Sequence, residues 1–161
     1  MGYYVNMTDV NLRIRKEQQA AAYEALCRLN WRNDLKGGGV YRAGASVPDG
    51  PHPDIWFSWL QWNYHETCQD LESILVHVGF ETFVDDAGTL HIVHYDDKTG
   101  CEDVFLEAFA PLYDRTYVEP FVEWHGEDGE EWRDTFTPDH IEHQRAVRYW
   151  GDPTLQSYRV N

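Results

Sequence analysis

Familiar catalytic signatures are missing from this sequence. Its three cysteines, Cys27, Cys68 and Cys101, are odd in number and show no CxxC spacing. That excludes a ready disulfide framework or zinc knuckle, and the three read as small, buried or part-buried thiols of a reducing compartment. There is no GxSxG elbow, Walker loop or dinucleotide fingerprint, and the GGG at 37–39 lacks the Lys-Ser/Thr of a phosphate loop. No cofactor is expected. No apolar run approaches the length of a membrane span. The start, MGYYVNMTDVNLRIRK, has no apolar stretch behind a basic one, and Asn6 stands where myristoylation requires a small hydroxyl. The expectation is a cytoplasmic protein. Positive charge is also scarce: 13 Lys and Arg stand against 28 Asp and Glu, for a net charge of -15. Such a field repels phosphate backbones and anionic membranes. Direct nucleic-acid binding and membrane association are therefore not expected, and a basic protein surface or a cation is. Acidity also serves solubility.

Aromatic residues, by contrast, are plentiful. They make up 15% of the 161 residues, within a hydrophobic share of 42%, too rich for a disordered chain. This length suits a single domain spanning 1–161. The charge is uneven along it: residues 1–80 carry 9 acids and 7 bases, residues 81–161 carry 19 and 6.

Periodicity predicts a strand or bent strand pair over 3–14, then a helix over 16–30 with Ala22, Leu26 and Leu29 on one face. Residues 31–63 read as a loop with a short strand near Val40 to Arg42. A second helix is predicted over 64–78, capped by Asn63 with Glu66 as reciprocal acceptor, striped by Cys68, Leu71, Leu75 and Val78, and stopped at Gly79. FETFV and TLHIVHY read as a hairpin joined by DDAG at 85–88. A third helix is predicted over 101–112, with Thr99 and Glu102 as a capping box. Strands at 117–125, 130–137 and 142–149 close the chain. The order argues for an α+β fold, a mostly antiparallel sheet with about three helices packed on one face.

Three stretches carry candidate chemistry. In EWHGEDGEEWRD (123–134) alternation places Val122, Trp124, Trp132 and Phe136 on one face of a hairpin and Glu123, His125, Glu131 and Arg133 on the other. The second set forms ordinary cross-strand ion pairs or, in an enzyme, an acid-oriented His125 base with Arg133 as anion holder. Glu127, Asp128 and Glu130 at the tip suit a wet turn or a contact with a basic partner. HYDDKTGCED (94–103) gathers Asp96, Asp97 and Asp103. They are weak metal-ligand candidates, since acids at a strand-to-helix link also serve turns and caps. In WFSWLQW, Trp56, Phe57, Trp59 and Trp62 are candidate interface anchors, because aromatic residues amid polar neighbours commonly anchor interfaces. Core packing is the competing use. The eight histidines read as structural or surface residues, without an HExxH pattern.

MGYYV at the start and GEDGEEWR at 126–133 resemble a loose group of small acidic proteins of bacteria and their phages, in which a glycine-acid turn precedes a Trp-Arg strand. The resemblance covers the first strand and the closing hairpin. It implies a compact accessory protein, acting on a host factor if the source is viral, and it carries no catalytic residues to this chain. The leading expectation is an acidic modulator or inhibitor that binds a basic partner protein. The alternatives are a small hydrolase or cation-dependent enzyme, and a DNA mimic. A homodimer through a strand edge or the tryptophan patch is a further expectation.

Overall fold

The computed structural model describes residues 2–39, 46–58, 60–149 and 151–154. β1 (Val5–Ile14) runs through the middle of the sheet. Val5 and Met7 are buried at its start, Leu12 and Ile14 at its end. The inward parity switches because the register against its neighbour shifts between Met7 and Asp9. An extra residue in a bulge re-aims every side chain after it.

α1 (Gln19–Leu29) buries Ala22, Leu26 and Leu29, as its periodicity predicts. The residues expected to open it, Lys16 to Gln18, form a separate 3-10 turn. Basic residues at a helix N-terminus oppose its dipole. β2 (Gly38–Gly39) pairs with β3 (Ile55–Trp56) in a small second sheet. The strand expected near Val40 to Arg42 lies outside the described residues.

The helix expected over 64–78 is two helices, α2 (Tyr64–Thr67) and α3 (Leu71–Val78). The cap is also elsewhere: Asn63 makes no side-chain cap bond, whereas the Asp70 carboxylate accepts from the Ser73 N–H at 2.8 Å. A strong N-cap inside a helical pattern competes with continuation. Gly79 ends α3 at φ 116°, a left-handed conformation that favours glycine.

β4 (Glu81–Val84) and β5 (Leu90–His94) form the expected hairpin, and β6 (Asp96–Asp97) pairs with the start of β1. α4 (Glu102–Ala108) is shorter than the predicted 101–112, because Pro111 sits in a distinct 3-10 turn at Ala110–Leu112. The side chain of Thr99 donates to Glu102 at 3.4 Å, but no side chain caps the helix. β7 (Phe121–Gly126), β8 (Glu131–Phe136) and β9 (Ile141–Arg145) form the C-terminal meander. β7 begins after Pro120, later than expected, with Tyr117 and Val118 exposed ahead of it.

The sheet order is β4-β5-β1-β7-β8-β9, every pairing antiparallel. One core joins the inward face of this sheet to α1, α3 and α4. The fold is α+β, with helices on one face of the sheet and no described helix over the other, open face.

Candidate functional site

Strand parity separates the C-terminal hairpin into two surfaces. On the open face, Glu123 lies directly opposite Arg133 and His125 opposite Glu131. The Arg133 guanidinium donates from Nε to Glu123 at 2.9 Å and sits 4.8 Å above the centre of the Phe121 ring. His125 Nδ1 lies 3.4 Å from Glu131. The four residues share this face as two separate cross-strand pairs, Glu123 with Arg133 and His125 with Glu131. A shallow depression of about 430 Å³ borders Glu123, Glu131 and Arg133 but not His125.

A second depression, larger than this one, is on the helix side. A groove of about 620 Å³ lies between α4 and the inward residues of β7, β8 and β9. On one side it is lined by Glu102, Asp103, Leu106 and Glu107 of α4, and on the other by inward residues of β8 and β9 that α4 leaves partly uncovered. Trp124 and Trp132 lie directly opposite each other on the sheet wall. Their ring centres are 6.4 Å apart with planes 27° from parallel. Trp124 is buried and Trp132 half-buried.

Carboxylates surround this aromatic floor. Glu102, Asp103 and Glu107 come from α4, Asp134 from β8, and Asp128 and Glu130 from the hairpin tip. Asp134 and His143 are register partners, with His143 Nδ1 2.6 Å from the Asp134 carboxylate. Arg145 lies opposite Trp132 and its guanidinium is 3.6 Å from Glu130. Glu102 accepts from the hydroxyls of Tyr95 at 3.3 Å and Thr99 at 3.4 Å. Burial holds its pKa above the usual carboxylate range. The rim is fixed by Tyr3, whose hydroxyl donates to Asp128. That bond keeps the Asp128 pKa below the usual range. A Cβ on Gly126 would lie 2.0 Å from the Tyr3 hydroxyl, so glycine there gives the tyrosine its room.

The aromatic stretch at 56–62 takes a different shape from the one its alternation suggests. Among its described residues the strand ends at Trp56, and the Leu60 N–H donates to the Phe57 carbonyl at 3.1 Å. Phe57 and Leu60 both enter the core. Phe57 is 1% exposed and packs edge-on against Phe105, 5.0 Å between centres. It is therefore a core residue and not a surface anchor. Trp56 and Trp62 are half-buried, and Trp59 lies outside the described residues. Glu127, Asp128 and Glu130 are exposed at the hairpin tip, as expected.

Asp96 and Asp97 pair with the backbone of β1, the Asp97 carboxylate accepts from the Lys98 N–H, and Asp103 accepts from the Val104 N–H. Among the described residues, no three His, Cys, Asp or Glu side chains gather as a metal site. The cysteines are free, and burial pushes the Cys101 thiol up to about 12.

No family model, curated protein or solved structure matches this chain. Function is therefore read from the groove's geometry and charge. Sequence inspection missed Asp134, His143 and Arg145 as groove residues. The signal was present: counting outwards from the Thr137–His140 turn places Asp134 opposite His143.

Proposed function

We propose that this protein is an acidic binding module that modulates a basic partner by taking a cationic segment into the groove between α4 and the β7–β9 meander. One observation carries the reading. Among the described residues, the groove sets six carboxylates against one arginine and one histidine, beside two tryptophans. The groove is concave, its walls are mostly acidic, and complementary charge speeds and orients encounter with a basic partner. The acidic second half of the chain supplies a long-range field of matching sign. The test is an NMR titration of labelled protein with a short basic peptide and, separately, an acidic one. Shifts of Trp132, Asp134 and His143 with the basic peptide alone, weakening with salt, are expected. Absence of groove shifts with the basic peptide overturns the reading.

The Asp134–His143 pair supports a second reading, a small hydrolase. A carboxylate at 2.6 Å orients the imidazole as a general base for water. Turnover of an ester, amide or phosphoester panel that His143→Ala abolishes is the expected result for that reading, and a flat panel removes it. The DNA-mimic alternative has less support, because Glu123 and Glu131 on the open face are each paired with a basic side chain.

A further inference from the structure

We infer that the group bound in this groove is a guanidinium, an arginine side chain of the partner laid against Trp132 between the Glu102 and Asp134 walls. This rests on the binding reading above and narrows it to one cation chemistry. The groove offers a flat surface and carboxylates on facing walls. A planar fork of N–H donors matches that arrangement, and a compact ammonium does not. Guanidinium is also more weakly hydrated, so it enters a half-buried aromatic site at lower desolvation cost.

Two further features favour it. The same hairpin already builds this arrangement on its open face, where Arg133 lies 4.8 Å above the Phe121 ring and pairs with Glu123. Inside the groove, Glu102 has two long hydroxyl contacts and no cationic partner among the described residues. Burial disfavours its charge, and an incoming cation reverses that penalty. Arg145, the guanidinium in the described lining, has a side chain 72% exposed and lies 3.6 Å from Glu130, not paired with Glu102.

The experiment compares hexa-arginine and hexa-lysine peptides of equal charge by tryptophan fluorescence and calorimetry, on the whole chain. The arginine peptide is expected to bind about tenfold tighter or better. Glu102→Gln and Trp132→Phe, each checked for an unchanged amide spectrum, are expected to remove most of that preference. Equal affinity for the two peptides, or a preference untouched by both variants, overturns the guanidinium inference while the acidic-groove reading stands. If neither peptide shifts the groove residues, both fall.

Discussion

Glu102 is a partly buried carboxylate without a cationic neighbour among the described residues, and its behaviour with pH follows from that. Its folded pKa is raised by desolvation, so the folded state binds a proton that the unfolded state has already lost. Stability from this residue is therefore highest at low pH and declines as pH rises from the unfolded pKa through the folded one. Glu102→Gln is expected to raise Tm at neutral pH and to bring no gain at a pH below the carboxylate range, as thermal denaturation across pH will show. Asp70 has the opposite sign. Its bond to the Ser73 N–H lowers its pKa, so its contribution is present above the unfolded pKa and is lost as pH falls through the folded one. Asp70→Ala is expected to cost about 1 kcal/mol at neutral pH, the usual value of an N-cap, measurable by urea unfolding. Gly126→Ala places a methyl in the space of the Tyr3 hydroxyl. It should part Tyr3 from Asp128 and return the tyrosine's raised pKa towards its ordinary value in an absorbance titration.

Among the elements, the hairpin of β7 and β8 was the most legible. Alternation alone placed Trp124, Trp132 and Phe136 together and Glu123, His125, Glu131 and Arg133 on the reverse, since parity depends only on strand register. The pairs on that reverse face remain wet, with Glu123 and Arg133 side chains 34% and 46% exposed. A double-mutant cycle on them is expected to return a coupling of about 0.2–1 kcal/mol. The 56–62 stretch was not legible, because an aromatic run fits a strand and a turn equally well. Only the turn at Phe57 to Leu60, made by tertiary packing, sends both into the core. Phe57→Ala should accordingly cost about 3–5 kcal/mol, where an exposed aromatic would cost little. The break before α3 was hidden for a related reason: helical periodicity continues across it, and the Asp70 cap is a local event.

At the level of the whole molecule, the antiparallel sheet and its helical cover were readable from element order, but the groove was not. Its lining joins residues of α4 with residues of three strands and with Tyr3 near the chain's start, a juxtaposition no single segment contains. The charge contrast between the two halves was plain from composition, and its consequence belongs to this scale. Binding of any basic ligand should weaken steeply as salt rises and the Debye length shortens, with most of the change in the association rate. Stopped-flow measurements across ionic strength will separate that rate from dissociation. The free edges of the sheet, β4 and β9, are the places where a second copy of the chain would add. A single species at all concentrations in sedimentation experiments would leave those edges to the monomer.

The near-parallel indoles of Trp124 and Trp132, 6.4 Å apart, have an optical consequence. Two chromophores this close and skewed in this way share their excited states, and such a pair gives a circular-dichroism couplet of opposite-signed bands. That signal belongs to the geometry of the floor and not to helix or strand content. A variant that keeps its backbone spectrum but loses the couplet has kept its fold and changed the packing of Trp124 against Trp132, a distinction visible without label, ligand or partner.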